Sequence, residues 1–385
     1  MKVSIYSSCI ALALSLTTSA ALAVIDPAAE TVKVSKSCTE NGVALNNCFT
    51  NLTSLTDWMA NTRKPGASNP LEVDIGPGTF LSETYIKGNL KLGGDAALAL
   101  SCDDTIGYAG YTSFNGAGSS QTVLSTNRID KAAIDVAYCT DMTFSNMTVN
   151  GPGYGGVTWS AGGNSKWSNV EVNAVARGWY EPGCGTSRGN HYWYSSKITV
   201  SPAYAVLQGY RATCDESWFF GSEITAILPG GEGATGTGAV VTNGSGIIHV
   251  YGSVLRSFTD GTSTVPAAKA NGGEIHIHGT GIDVISATGA DIVALHALNG
   301  GMIHANETAY NLVTSGGAIT RIINEAATVN APYLWPQNSD VPNITSEHGA
   351  DMAVVTNTAD GQPHLVIYSD NCMSQWFDTS TSSCR

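Results

Sequence analysis

The feature that most constrains this chain is a repeat that recurs every 23 to 31 residues through its middle. Each repeat carries an aromatic residue or histidine followed two residues later by Asn, Ser or Thr, and the aromatic positions are Phe144, Trp167, Tyr194, Phe220, Tyr251 and His278. A short apolar stretch interleaves with them, at Ala133-Ile134, Gly156-Val157, Ala174-Val175, Ala205-Val206, Ala239-Val240, Ala267-Ala268 and Ala318-Ile319. Two interleaved patterns with one period predict a coil that stacks on itself, a solenoid of short β-strands.

The N-terminal end has the pattern of a secretory signal peptide over residues 1–23. Lys2 precedes an apolar run from Ile10 to Leu16 and a small-residue end at Ala21-Leu22-Ala23, so we expect cleavage before Val24. No other segment has enough apolar length to span a bilayer. The sequence therefore predicts a secreted protein, periplasmic, extracellular or at the cell surface.

The charge balance narrows the range of partners. The formal net charge is −13, and the chain becomes more negative without Lys2 because residues 1–23 contain no acid. Such a surface repels nucleic acid and anionic membranes. Only 13% of residues are charged while 43 are Gly, a composition typical of stacked β-coils with tight polar corners.

Eight cysteines remain after the signal peptide, an even number that favours disulfides in an exported chain. They are Cys38, Cys48, Cys102, Cys139, Cys184, Cys214, Cys372 and Cys384. Cys102 and Cys139 each follow an apolar strand, and Cys184 and Cys214 lie 30 residues apart, about one coil, so we predict that Cys102–Cys139 and Cys184–Cys214 join neighbouring coils. We expect Cys38–Cys48 and Cys372–Cys384 to close small loops at the two ends.

Four regions follow from these patterns. The signal peptide precedes residues 24–69, which hold the first disulfide loop and an amphipathic helix at Asn51 to Ala60 that we expect to cap the solenoid. The solenoid itself covers residues 70–330. The period is lost in residues 331–385, which we expect to form an irregular C-terminal cap.

A resemblance to a known family begins at the alternating strand Leu71 to Ile75. This strand runs into Pro77-Gly78-Thr79-Phe80, and repeated coils with Asn at one corner follow it. The opening resembles the right-handed parallel β-helix of the pectate-lyase-like superfamily, over roughly residues 70 to 330. The resemblance implies an all-β fold and no particular activity, because that fold hosts lyases, hydrolases, epimerases and non-catalytic adhesins. Motifs of polygalacturonases and of pectate and pectin lyases are missing.

The resemblance also implies that substrate lies along one strand face, where an Arg or Lys removes the C5 proton of a sugar. Taking the fourth residue of each apolar stretch as outward, the candidate face contains Trp159, Arg177 and Gln208. Arg177 is the candidate base, with Arg211 as the neighbouring cation that would lower its proton affinity. The alternative is that Arg177 only solvates a strand face.

Acidic residues after the corner cysteines form a second candidate site. Asp215 and Glu216 follow Cys214, and stacked carboxylates repel one another unless a cation lies among them. We therefore predict calcium as the one cofactor this chain could hold, at Asp215 and Glu216. The alternative is that both are ordinary turn acids.

Aromatic residues and histidines form a third candidate site. His191, Tyr192, Trp193 and Trp218 are candidates for contacting sugar rings, whose C–H faces pack on flat side chains. Alternation along the later strands places His249, His276 and His304 outside, stacked one per coil. We expect no zinc there, because no acidic or Cys ligand is predicted nearby. For Phe144, Trp167 and Phe220 we expect instead a location inside the solenoid, where aromatic rings stack on one another.

The sequence thus predicts a secreted β-helix that binds a polysaccharide and, if it is an enzyme, cleaves a uronate polymer as a lyase. The alternative is a non-catalytic extracellular or cell-surface structural protein that associates with itself or with a partner. A groove over Arg177 favours the first function, and a flat exposed side favours the second.

Overall fold

The chain forms a parallel β-helix, as predicted. The computed structural model describes residues 24–81, 98–101, 110–127, 131–137, 139, 141–152, 155–160, 163–182, 188–201, 208–228, 238–259, 265–325, 328–330, 351–356, 363–368, 377–378 and 383–384. Three stacks of parallel strands run along the solenoid, one strand from each coil in each stack. The predicted signal peptide and the loop at residues 229–237 lie outside the described residues.

The first sheet contains one strand from each coil and is entirely parallel. Its strands are β7 (Leu98–Ser101), β10 (Ala132–Ala137), β12 (Gly155–Ser160), β14 (Arg177–Tyr180), β17 (Gln208–Ala212), β20 (Gly238–Asn243), β23 (Ala268–Asn271), β26 (Ile292–Leu298) and β29 (Ile319–Glu325).

The second sheet follows the first in each coil. Its strands are β1 (Thr31–Val34), β4 (Cys48–Phe49), β5 (Leu71–Ile75), β8 (Thr112–Gly116), the first halves of β11 (Met142–Gly151) and β13 (Ser165–Ala174), β15 (Asn190–Tyr194), β18 (Glu216–Phe220), β21 (Ile247–Tyr251), β24 (Glu274–His278), β27 (Met302–Asn306) and β30 (Thr328–Asn330).

The third sheet follows the second after a corner, which is two residues long in most coils and five residues long, 117–121, between β8 and β9. Its strands are β6 (Gly78–Leu81), β9 (Thr122–Ser125), the second halves of β11 and β13, β16 (Lys197–Val200), β19 (Glu223–Leu228), β22 (Val254–Thr259), β25 (Gly281–Ser286) and β28 (Ala309–Thr314).

The corner between the second and third sheets is made by a single residue in the left-handed conformation. These residues have φ between 46° and 56° and are Asn146, Asn169, Ser195, Gly221, Gly252, Gly279 and Glu307. Asn and Gly adopt this conformation at the least cost, which explains the Asn and Gly recurring in the sequence. From Ser196 onward a buried hydroxyl follows the corner, and Ser222 Oγ accepts from Ser196 N at 3.2 Å.

Stacked aromatic rings fill the interior. Phe114, Phe144, Trp167, Trp193 and Phe219 form one interior column with ring centroids 4.1 to 5.8 Å apart. Trp159, Trp179 and Tyr210 form a second column, with centroids 5.5 and 5.3 Å apart. The prediction that Phe144 and Trp167 are interior is confirmed. It is wrong for Phe220, because Phe219 occupies the inward position of that strand.

The N-terminal helix lies where the sequence predicts it. Helix α1 (Leu52–Trp58) begins at Asn51, whose side chain accepts from Ser54 N at 2.7 Å, and it continues into one π-helical turn at Met59–Arg63. Its buried residues join the core, and the helix packs against β7, the last strand of the first sheet. It therefore covers the open end of that sheet, where apolar residues would otherwise meet water. No helix among the described residues has the length and apolarity to cross a membrane.

The ends of the chain contain further strands. A hairpin of β2 (Thr39–Glu40) and β3 (Val43–Ala44) lies within the loop closed by the Cys38–Cys48 disulfide, which confirms that pairing. The C-terminal region is more regular than the predicted cap. It contains an antiparallel sheet of β31 (Asp351–Thr356), β32 (Pro363–Tyr368), β33 (Phe377–Asp378) and β34 (Ser383–Cys384).

Two further cysteines, Cys139 and Cys214, are disulfide-bonded. The partners predicted for them, Cys102 and Cys184, lie outside the described residues, and so does Cys372.

Candidate functional site

The outward side chains of the first sheet form one row across neighbouring coils. Asp135 pairs in register with Thr158, Thr158 with Tyr180, and Tyr180 with Arg211. All four side chains are half-buried and face away from the core, since the residues flanking them in the strands point inward. We call this row the first-sheet row. It places an acid, a hydroxyl, a phenol and a guanidinium at successive strand spacings of about 4.8 Å.

Two guanidinium groups converge on Tyr180 in this row. The Cζ atom of Arg177 lies 3.9 Å from the centroid of the Tyr180 ring, and that of Arg211 lies 5.1 Å from it. With the Asn243 amide oriented by its hydrogen bonds, its oxygen accepts from Arg211 Nη2 at 2.6 Å. The structure thus brings together the two predicted catalytic arginines and holds both in place by stacking on one ring.

Asp135 lies at the other end of the first-sheet row. Burial raises the pKa of this carboxyl from 3.8 to about 6, although the charge of Lys131 lowers it. A carboxyl with this pKa is ionised at neutral pH and accepts a proton more readily than an ordinary aspartate. A carboxyl with a raised pKa on the same sheet face as two fixed cations is typical of functional sites.

The predicted outward face needs correction at Trp159. Trp159 is fully buried and stacks on Trp179, so its prediction as a substrate-contacting residue is wrong. The error comes from the repeat register. The inward positions aligned with Val157 are Trp179 and Tyr210, four residues after the Val175 and Val206 of the predicted stretches. The register error is the same four residues in both of these coils. Arg177 and Gln208 are therefore still paired on neighbouring strands, as predicted.

The second sheet presents stacked rings on its outer side. One row consists of Tyr192, Trp218, His249, His276 and His304, with successive centroids 4.6 to 5.3 Å apart and planes within 12° of parallel. A second row consists of Tyr194, Phe220, Tyr251 and His278, with centroids 5.1 to 5.4 Å apart. We call these two rows the ring ladder. The predicted outward stacking of the three histidines is confirmed.

The ring ladder exposes edges rather than faces. Each internal ring is covered on both faces by the rings of the neighbouring coils, so only its edge can reach solvent. Sugar stacking needs a free ring face. The geometry therefore weighs against Trp218 as a stacking platform and favours ligands that bind to nitrogen and oxygen atoms.

Two residues predicted to contact sugar are buried beneath the ladder. Trp193 belongs to the interior column and has no exposed surface. His191 is also fully buried, with Nδ1 2.8 Å from Ser165 Oγ and Nε2 3.0 Å from Asp215 Oδ2. Both predictions are wrong, because alternation along β15 places Tyr192 and Tyr194 outside.

This buried Ser165–His191–Asp215 network has the composition of a hydrolase triad. Ser165 Oγ also accepts from Trp167 Nε1 at 2.7 Å, and Asp215 Oδ1 accepts from Gly189 N at 2.6 Å. All three side chains are almost completely shielded from solvent. The network therefore satisfies buried polar groups within the solenoid and holds its coils together.

The predicted calcium ligands do not converge. Asp215 points inward to His191, whereas Glu216 lies on the outer side of the second sheet and accepts from His249 Nε2 at 2.8 Å. Adjacent residues of an extended chain point to opposite sides, which separates the two carboxylates. The geometry gives no support to a shared calcium ion at this pair.

Glu181 is a buried acid that the sequence reasoning missed. Its carboxylate accepts from Thr213 N at 2.7 Å, Cys214 N at 3.1 Å and Asp215 N at 3.3 Å. Burial, and then the charge of Asp215, raise the pKa of Glu181 to about 7, although the three backbone N–H groups oppose the rise. Glu181 therefore fastens one coil to the next beside the disulfide-bonded Cys214.

A metal-binding constellation is present at the far end of the ring ladder. Glu274, His276 and His304 are the only three such residues, in the part of the chain that the structure describes, whose ligand atoms lie within 4.8 Å of one another. The expectation that no acid lies near the histidines is wrong, because Glu274 shares the outer side of β24 with His276. Burial lowers the pKa of His276, and the charges of His249 and His304 add to this effect, while Glu274 opposes it.

Comparisons with known proteins return distant structural matches only. No protein-family model matches the chain, and a search of curated proteins finds no match. The pectin methylesterase PemA from Erwinia chrysanthemi matches 76% of this chain and 92% of its own at 10% identity, with a TM-score of 0.35. A pectin methylesterase in complex with a hexasaccharide matches 77% of this chain and 93% of its own at 9% identity, with the same score. The A-module of the mannuronan C-5 epimerase AlgE6 from Azotobacter vinelandii matches 74% of this chain and 95% of its own at 11% identity, with a score of 0.30.

Proposed function

We propose that this protein binds an acidic extracellular polysaccharide, a uronate polymer, across the first-sheet row. The convergence of Arg177 and Arg211 on Tyr180 carries this proposal. Guanidinium groups bind carboxylates in a bidentate manner, and each such contact contributes about 1.5–3 kcal/mol. Two such groups on adjacent strands of a chain with net charge −13 form a local cationic site on an otherwise acidic protein.

Export of the protein belongs to the same proposal. Cys38–Cys48 is a disulfide, and Cys139 and Cys214 are disulfide-bonded as well. Such bonds persist in oxidising compartments. A secreted location also agrees with the leader-like residues 1–23, and it is where an acidic polysaccharide would be met.

Cleavage by β-elimination is the chemistry that the first-sheet row suits best. In this reaction a base takes the C5 proton, a C4=C5 double bond forms, and the C4–O bond to the leaving sugar breaks, with the leaving oxygen taking a proton from water. A cation at the sugar carboxylate stabilises the negative charge that develops there. Arg177 and Arg211 suit the first role, because guanidinium stays protonated at any physiological pH. The base role suits Asp135 better than Arg177. A sugar over Thr158 would lie one strand spacing from Asp135 and one from Tyr180.

Affinity electrophoresis against a panel of polymers tests the binding. We expect retention by polygalacturonate or alginate and none by neutral dextran. Arg177→Ala and Arg211→Ala should each weaken binding roughly tenfold to a hundredfold. Arg256→Ala is the matched control, since Arg256 lies on the third sheet between Glu223 and Asp283. Unchanged binding by the Arg177→Ala/Arg211→Ala double variant contradicts the proposal.

Absorbance of unsaturated products, measured with the polymers that bind, tests the cleavage separately. Asp135→Asn should abolish product formation while leaving polymer binding within about twofold, because it removes the base and no cation. Equal activity in this variant removes Asp135 from the mechanism. If no uronate polymer binds, the non-catalytic structural protein becomes the better account of the chain.

A further inference from the structure

The ring ladder holds a set of metal ligands that the proposed polysaccharide site does not use. We propose that Glu274, His276 and His304 bind one divalent transition-metal ion, with Zn²⁺ as the best fit. The three residues lie on the second sheet, whereas the proposed polysaccharide site lies on the first.

Strand register positions these three side chains. His276 and His304 are paired partners on the adjacent parallel strands β24 and β27, and their rings stack with centroids 4.8 Å apart. Glu274 precedes His276 by two residues, so both point to the same side of the sheet. The side chains are 24% to 27% exposed, which lets an ion reach them from solvent.

One carboxylate oxygen already lies between the two imidazoles. Glu274 Oε1 is 2.8 Å from His276 Nε2 and 3.3 Å from His304 Nε2. Bonds of about 2.0–2.1 Å in a tetrahedral site place neighbouring ligand atoms roughly 3.3 Å apart. The distance to His304 Nε2 matches this value and the distance to His276 Nε2 is 0.5 Å shorter, so small movements of Glu274 and the two imidazoles would complete the site.

The donor set selects the class of metal. Two imidazole nitrogens and one carboxylate oxygen suit Zn²⁺, Ni²⁺ or Cu²⁺, whereas Ca²⁺ prefers oxygen ligands alone. Three protein ligands leave at least one coordination position open to water or to a ligand from outside. The ligand atoms of these three residues lie within 4.8 Å of one another, and neighbouring His249 is not in this group, so the proposed set contains three residues and not four.

Isothermal titration of the tag-free, chelator-treated mature chain with zinc chloride tests this site. We expect one ion per chain, and Zn²⁺ should bind at least about tenfold more tightly than Ca²⁺. His276→Ala, His304→Ala and Glu274→Gln should each weaken Zn²⁺ binding at least about tenfold. His278→Ala is the matched control, because His278 lies on the same strand in the neighbouring row and should leave binding unchanged.

Cobalt binding provides a second measurement, based on light absorption rather than on the heat of binding. Tetrahedral Co²⁺ with nitrogen ligands absorbs visible light, so the wild-type chain should develop this absorption, and the His276→Ala/His304→Ala variant should not. Circular dichroism of each metal-free variant checks that the solenoid is intact. Absence of Zn²⁺ binding by the wild-type chain overturns the proposal. Equal weakening by His278→Ala also overturns it, because the binding would then belong to scattered surface histidines.

Discussion

At the scale of single residues, buried acids make the stability of this protein depend on pH. Glu181 keeps its proton in the folded state up to a pKa of about 7, whereas the unfolded chain releases it near 4.5. Between these values the unfolded state binds fewer protons, so the free energy of unfolding falls as pH rises. The contribution is complete below pH 4.5 and is lost by about pH 7, and it amounts to roughly 3 kcal/mol. Asp135 acts in the same direction between 3.8 and about 6.

We therefore expect the protein to be more stable at pH 5 than at pH 7.5 in urea unfolding. Glu181→Gln should flatten much of this dependence, because glutamine has no proton to lose and still offers an oxygen to the backbone N–H groups of Thr213 and Cys214. Glu216→Gln is the control, since Glu216 lies on the outer face. A pH profile that is equally steep in the Glu181→Gln variant contradicts the role assigned to this residue.

At the scale of the single coil, two glycine positions impose opposite requirements. Gly252 has φ of +53° at the corner between the second and third sheets, and a Cβ atom there would meet nothing within 4 Å. Gly273 instead lies where a Cβ atom would come 2.5 Å from Gly246 O and 2.6 Å from Thr242 Cβ. Gly252 is favoured by its left-handed backbone conformation. Gly273 is favoured because neighbouring coils pack too closely there to admit a side chain.

Gly252→Asn should therefore change the free energy of unfolding by less than about 1 kcal/mol, because Asn occupies the same corner at positions 146 and 169. Gly273→Ala should destabilise by about 1–3 kcal/mol through overpacking. Urea unfolding of the two variants measures both effects. The reverse order of stabilities would mean that the corner assignment is wrong.

The disulfides test the alignment of neighbouring coils. Cys139 and Cys214 are bonded, and the sequence pairs them with Cys102 and Cys184. Non-reducing peptide mapping should recover Cys102–Cys139 and Cys184–Cys214. Recovery of Cys139 bonded to Cys184 would contradict the coil alignment from which the sequence analysis predicts these pairs.

The sequence predicts the type of coil better than it predicts the register. Corner residues such as Asn146 and Asn169 can be recognised in the sequence, because few residue types tolerate a left-handed backbone. The inward residues Trp179 and Tyr210 are hidden, because Ala174-Val175 and Ala205-Val206 match the apolar pattern four residues earlier. A single sequence does not reveal this four-residue error in the repeat register, because large aromatic residues and Val both fill the aligned interior positions.

The candidate sites were predictable to different degrees. The outward histidines follow from alternation along β21, β24 and β27, and the same alternation places Glu274 beside His276, a signal that the sequence analysis did not use. The convergence of Arg177 and Arg211 on Tyr180 depends on side-chain contacts between coils. Spacing alone gives no access to those contacts.

At the scale of the whole molecule, the solenoid separates the two proposed sites on two faces. In these proposals, the first-sheet row binds an acidic polymer through guanidinium groups, and the ring ladder binds a metal through imidazole and carboxylate groups. Because binding to the first-sheet row is electrostatic and partly exposed, it should weaken as salt rises, since a Debye length of about 10 Å at 0.1 M screens surface charge. Titrations in increasing sodium chloride measure this effect. Affinity that does not change with salt would contradict recognition by charge.

Hydroxyl-radical footprinting with a bound uronate oligosaccharide tests the central claim most directly, because aromatic side chains on the two faces report solvent access independently. The account predicts that oxidation of Tyr180 falls when a saturating oligosaccharide is added, while oxidation of Trp218 and Tyr251 on the ring ladder stays the same. Protection of Trp218 and Tyr251 with unchanged oxidation of Tyr180 would contradict the claim that the first-sheet row is the polysaccharide site.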